Sequence, residues 1–279
     1  MISYDDDIVV LQRSRKFIVS RTLSVFAIAT VLGIYIFQIL SPPIYLHLIS
    51  EDFFGEYLAS LFFVTAGAVF IIKGVKQQGI SRLLAVLLGA AMLFIGGEEV
   101  SWGQRLLEVP TPEALEVINK QGEITLHNIG FLQTFPFHEV VGVGLLFTLA
   151  LIMLKNKRNL TILLDVAPLP SLEIWPIFVI TAVALIFQPF LKGDEISDIF
   201  LGASCLIWAC ILGQSNAAIR RGTALKSVAV AVSSCIAAAL VITANTPPDR
   251  LAWRANITAS RDYPDIGQYR QADDYSTSF

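Results

Sequence analysis

Leu83-Leu84-Ala85-Val86-Leu87-Leu88-Gly89-Ala90-Ala91-Met92-Leu93-Phe94-Ile95-Gly96-Gly97 runs without a charge into Glu98-Glu99-Val100-Ser101-Trp102-Gly103-Gln104-Arg105. The apolar part decides the fold. It does not alternate as a barrel strand would, and in lipid only a helix closes its backbone hydrogen bonds within one segment. Seven such runs lie along the chain, at 22–40, 57–72, 83–97, 140–154, 174–191, 199–213 and 227–244. The expected architecture is an all-α polytopic membrane bundle of about seven transmembrane helices.

Composition agrees. Of 279 residues, 54% are hydrophobic and 15% charged, where soluble domains carry about 25% charged residues. A net charge of −3 is too small to suggest nucleic acid. Cys205, Cys210 and Cys235 all lie inside apolar runs and read as small hydrophobes, with no disulfide or metal spacing. Asp5-Asp6-Asp7 is wrong for the basic start of a cleavable signal, so the first run reads as a retained helix.

Lys and Arg set the orientation. With the N-terminus inside, the inner segments hold 13 basic residues and 5 acids, a net of +8. The outer loops hold 3 basic residues and 13 acids, a net of −10, and the tail adds −1. This asymmetry predicts N-in and C-out in a cell's inner (plasma) membrane. The chain then divides into a cytoplasmic segment, 1–21, a bundle, 22–244, with its outer loop at 98–139, and a polar outer tail, 245–279.

Three of the runs, 83–97, 140–154 and 199–213, hold only 15 apolar or small residues. At ~1.5 Å per residue each falls short of a hydrocarbon core of ~30 Å. Acids crowd their outer ends: Glu98 and Glu99, His138 and Glu139, and Asp194, Glu195 and Asp198. Carboxylates are too short to snorkel. These groups are therefore expected to face one another around a polar outer pocket, together with Glu51, Asp52 and Glu56 from the first outer loop. Gly97-Glu98-Glu99-Val100-Ser101 is echoed by Gly193-Asp194-Glu195-Ile196-Ser197, as a parallel internal repeat would require.

If the helix continues past Gly97, Glu98, Ser101, Trp102 and Arg105 share one face. Glu98 would then bond Ser101, Arg105 would supply a fixed positive charge, and Trp102 would sit in the interfacial aromatic belt. Downstream, Thr111-Pro112-Glu113 starts a short helix on the membrane, with Pro at its first position. Asn119, Gln121, Glu123, Thr125 and His127 alternate with Gly122, Ile124 and Leu126, so helix and strand both remain open. Either form puts Glu123 and His127 on one side, as a metal-ligand or proton-transfer pair. The candidate catalytic residues are Glu98, Glu99, Ser101, Arg105 and His127. The candidate ligands of a divalent metal ion are Glu98, Glu99, Glu123, His127 and His138. Gln104, Asn119, Gln121, Asn128 and Glu139 complete the pocket.

Glu98-Glu99-Val100-Ser101-Trp102-Gly103-Gln104-Arg105, then Pro112-Glu113, then Asn119-x-Gln121-x-Glu123-x-x-x-His127-Asn128, resembles a signature of uncharacterised bacterial multi-pass membrane proteins. Glu51-Asp52 and Glu56-Tyr57-Leu58 are similar to the same group. The resemblance covers roughly 51–138. It implies that the cluster is a unit and brings no reaction with it. Seven-helix membrane hydrolases of the alkaline ceramidase type use three zinc-binding histidines with an Asp and a Ser. This chain has Ser101 and several acids but no histidines one helical turn apart, so that analogy stops at the fold.

Three functions fit the sequence. One is a membrane hydrolase or transferase acting on a lipid or lipid-linked substrate at the outer face. Another is a non-catalytic assembly partner of an envelope protein. The third is an ion-coupled transporter, which the scarcity of ionisable groups in the inner halves of the spans disfavours.

Overall fold

A computed structural model of the chain describes residues 53–107, 109–119, 123–130, 132, 135–155, 168–170, 174–191, 194–212 and 223–246, with Gly33, Ile36 and Leu40. Its long elements are all helices: α1 (Phe54–Gly74), α2 (Gly79–Glu99), a four-residue α3 (Glu113–Glu116), α4 (Phe137–Lys155), α5 (Trp175–Leu191), α6 (Asp194–Ile211) and α7 (Thr223–Asn245). No strand occurs among the described residues, where the β pairing is an isolated bridge between Asn119 and Ile129. Helices α1 and α2 and the Lys226–Asn245 part of α7 are long and apolar enough to cross a membrane, while α4 and α5 hold shorter apolar stretches.

The six later runs of the sequence correspond to α1, α2, α4, α5, α6 and α7. Of the first run, 22–40, only Gly33, Ile36 and Leu40 are described, and all three are helical. The rest of that run, the segment 1–21, Glu51, Asp52, Gln121 and the tail from 247 onward lie outside the described residues.

Helical length departs from the expected shortness. α2, α4 and α6 have 21, 19 and 18 residues, or roughly 31, 28 and 27 Å at ~1.5 Å per residue. The helices run through their acids instead of stopping before them. For α4 and α6 this follows from position: Glu139, Asp194 and Glu195 lie near helix N-termini, where the macrodipole favours negative charge. Glu98 and Glu99 end α2 at its C-terminus, where the dipole opposes them. Their stabilisation must come from other donors.

The bundle is built around α1, which packs against α2, α6 and α7; α4 packs on α5, and α5 on α6. The α1–α2 contact is a seam of small residues. Ser60, Gly67 and Gly74, each seven apart, meet Gly96, Gly89 and Ala85. Ser60 Oγ donates to the Gly96 carbonyl at 2.6 Å. A Cβ on Gly67 would lie 2.6 Å from the Gly89 carbonyl oxygen, so the backbones meet where no side chain fits. Helices in lipid associate through such close packing, because burying apolar surface from water offers little there.

Lys73 fixes which ends lie together. Its Nζ donates to the carbonyls of Ala209, Cys210 and Leu212 at 2.9, 2.7 and 3.0 Å. These carbonyls belong to the end of α6, where intrahelical donors run out. Hence α1 and α6 are parallel, with their C-terminal ends joined. At the opposite end the starts of α1 and α6 meet the end of α2. Phe62, Phe63, Phe70 and Leu206 fill the main core, and Trp175, Phe178, Ile152 and Ile211 a second one. All three cysteines are buried, and none of them forms a disulfide.

Candidate functional site

The chain leaves α2 by reversing direction. The helix ends at Glu99, and Val100 turns away at φ −103°, ψ 25°. Ser101, Trp102 and Gly103 follow at φ +48°, +56° and +75°. Left-handed backbone is natural for Gly103 but costs an L-residue ~1–2 kcal/mol. Four bonds hold the turn. Gly103 N donates to Val100 O at 2.8 Å and Gln104 N to Ser101 O at 2.9 Å. Ser101 Oγ donates to Glu123 Oε2 at 2.6 Å, and Trp102 Nε1 to Glu98 Oε1 at 2.7 Å. The expected single helix face of Glu98, Ser101, Trp102 and Arg105 is thus not formed, and Ser101 bonds Glu123 instead of Glu98. Trp102 folds back over Gly97 and meets Phe94 edge-on.

Glu98 is 6% exposed and is consumed by the loop. Its Oε2 accepts from the backbone N–H of Leu126 at 2.6 Å and of His127 at 3.1 Å, and lies 3.3 Å from His127 Nδ1. These donors supply what the helix dipole withholds. Glu123 is ion-paired with Arg105 and bonded to Ser101. The expected Glu123–His127 pairing is therefore replaced by two separate pairings. The described part of the segment, Asn119 and 123–130, is also neither helix nor strand, but bends and turns with the Asn119–Ile129 bridge.

Gln104 ties the two halves of the loop together. Its Oε1 accepts from Ile124 N at 2.6 Å, and its Nε2 donates to Thr111 Oγ at 2.6 Å. Asn119 and Asn128 both reach Thr125, at 3.0 Å to its carbonyl and 3.0 Å to its hydroxyl. Thr125 was visible in the sequence only as one member of the alternation. Pro112 is the cap of α3 and not its first residue. Glu98, Ser101, Gln104, Asn119, Glu123 and Asn128 of the signature, with Thr125, thus form the buried polar core of a cap at the end of α2, while Trp102, Glu113 and His127 are exposed.

A second polar group lies where the end of α2 meets the starts of α1 and α6. Glu99, one residue past Glu98 and so ~100° further round the helix, feels the charges of Asp198, Glu56 and Glu98. His138 Nε2 lies 2.9 Å from Asp198 Oδ1, joining the start of α4 to the first turns of α6. His138 and Asp198 keep 30% and 15% of their side-chain surface open. Glu56 is buried in the first turn of α1. Glu139 and Glu195 are half-buried in the opening turns of α4 and α6. The side chain of Asp194 lies outside the described residues.

The five expected metal ligands are therefore distributed over four settings. Glu98 joins His127, Glu123 joins Arg105, His138 joins Asp198, and Glu99 meets other carboxylates. Among the described residues no three His, Cys, Asp or Glu side chains are grouped to hold a metal ion. The echo of 97–101 in 193–197 does not extend to conformation either: the first stretch closes a helix, and Asp194-Glu195-Ile196-Ser197 opens one.

No protein-family model matches the chain, and no curated protein and no solved structure matches it. The geometry stands alone as the basis for a function.

Proposed function

We propose that the chain is a seven-span inner-membrane protein, N-terminus inside and C-terminus outside, with an acid–base site at its outer end for a lipid or lipid-linked substrate. The charge asymmetry of the loops supports the topology. So does the separation of Lys73, at one end of α1, from Glu56 and its acidic neighbours at the other.

One observation carries the chemistry: His138 and Asp198, from two different helices, meet at 2.9 Å beside Glu99 and Glu56. A carboxylate on one ring nitrogen fixes the tautomer and orientation of an imidazole and stabilises its charged form. Such a pair can take a proton from an incoming hydroxyl or water and return it to a leaving group. Glu99 is the second carboxylate at the site, with Asp198, Glu56 and Glu98 as its acidic neighbours. Ser101, Arg105 and His127, by contrast, serve the cap.

The test is complementation in cells lacking the protein, with their lipids followed by mass spectrometry. The wild-type gene should clear a lipid species that accumulates in its absence, and His138→Ala and Asp198→Asn should not, at equal protein levels. Full clearance by both variants would end the acid–base reading. A second reading, an envelope assembly partner, is favoured by how many signature residues are spent on shaping the cap. It expects these substitutions to be mild and deletion within 104–130 to be severe.

A further inference from the structure

The cap is built inside out. Six of its polar side chains (Ser101, Gln104, Asn119, Glu123, Thr125 and Asn128) are buried, while Glu113, Glu116 and His127 are exposed. Its exposed side includes Leu106, Leu107, Val109, Val117, Ile118 and Leu126, with Leu107 73% and Val117 86% open. Water rewards the reverse arrangement, since apolar surface left in water forgoes the gain of burial. An exposed apolar set of this kind marks a surface that faces something other than water.

We infer that the cap 101–130 is seated in the outer leaflet, its exposed apolar side chains among the upper acyl chains and its polar core sealed beneath them. Two observations select lipid over a protein partner. The first is continuity with the outward surface of the bundle. Trp102 packs on Phe94, an exposed residue near the end of α2, and Phe135 packs on Phe137 at the start of α4. The apolar face of the cap therefore begins and ends on helix surfaces that would face lipid.

The second is how the backbone is satisfied. The N–H groups of Ile124, Leu126 and His127 are each taken by a side-chain acceptor, Gln104 or Glu98. Irregular backbone at membrane depth requires internal partners of this kind, whereas a loop in water can leave such groups to solvent. Glu113 and Glu116 are exposed on α3 just before Val117 and Ile118. That boundary limits the depth to the interfacial layer and makes the seating apolar, not driven by anionic headgroups.

The inference rests on the chain spanning a bilayer and is independent of the acid–base chemistry. It is tested with the full chain in phosphatidylcholine vesicles, carrying an environment-sensitive fluorophore at Leu107→Cys, Val117→Cys or Ile118→Cys. Cys205, Cys210 and Cys235 are buried and stay in place, the unsubstituted chain serving as the labelling blank. Leu87→Cys, on the exposed side of α2, reports lipid contact by a span, and Glu113→Cys reports water.

The cap labels should lose emission to lipids bearing a nitroxide near the headgroup and resist aqueous iodide. High salt or added phosphatidylglycerol should not change this. Quenching by iodide as strong as at Glu113→Cys, with none by the lipid nitroxide, overturns the inference. So does a label that neither quencher reaches, since protein then covers the face. If Leu87→Cys is lipid-quenched in those cases, only the seating of the cap fails; if it is not, the spanning reading fails as well.

Discussion

Glu98→Gln separates a carboxylate that builds from one that reacts. Glu98 receives the indole N–H of Trp102 on Oε1 and the N–H groups of Leu126 and His127 on Oε2. Glutamine has the same shape but only one acceptor oxygen, and its other end carries two donors. In one orientation the amide NH2 confronts Trp102; in the other it confronts Leu126 and His127. At least one buried donor is left unpaired, at about 1–3 kcal/mol, and the surviving bonds lose their charge assistance. A total of about 2–4 kcal/mol lowers a thermal midpoint by roughly 3–7 °C for a chain of this size. Thermal unfolding in detergent should show this drop, and hydrogen exchange should show the Leu126 and His127 amides losing protection. If Glu98→Gln melts with the wild type and those amides stay protected, the cap is not held as described, and a chemical role for Glu98 reopens.

Four further outcomes follow from other contacts. Lys73→Met should destabilise the bundle by about 2 kcal/mol, because it removes a charged donor from three carbonyls at the end of α6; the detergent melt reads it. Gly67→Ala places a methyl 2.6 Å from the Gly89 carbonyl oxygen and should cost about 1–3 kcal/mol by forcing α1 and α2 apart. Ser101→Ala and Ser101→Gly both lose the bond to Glu123, but glycine relieves the left-handed φ of +48°. The glycine variant should therefore melt above the alanine one, by about 1 kcal/mol. Glu99→Gln keeps the size of the side chain and takes away its acid, so stability should hold while lipid clearance in the complementation assay is lost.

The helices were legible in the sequence because hydrophobicity is a property of a run, and each long run after the first corresponds to a described helix. Their ends were not. An apolar count stops at Gly97, but the helix continues to Glu99, because the donors that hold Glu98 come from Trp102, Leu126 and His127. Two of those are some thirty residues away, and no local rule reaches them. The turn at Ser101 and Trp102 was hidden for a related reason. Neither residue favours left-handed backbone, and the side-chain bonds that help impose it run to the remote Glu123 and back from Trp102 to Glu98. Spacing did flag Glu123 and His127, yet it assigned them to each other. Residues four apart face one way only in regular structure, and this segment is a set of turns.

Neighbouring carboxylates therefore do opposite work at the end of α2. Glu98 sits where the helix dipole is unfavourable, yet it has three N–H donors and a histidine within 3.3 Å. A carboxylate so engaged has spent its acceptor capacity on folding the cap. Glu99 is turned by one residue toward Glu56 and Asp198, where the charges around it are of its own sign. Stability alone would favour removing one of those acids, since like charges at a shared site oppose ionisation. Glu98, Ser101, Arg105 and Glu123 are spent on closing the cap, whereas Glu99 is left among acids. The proposed acid–base function gives a reason to keep it: His138, oriented by Asp198 at 2.9 Å, would move protons beside that group.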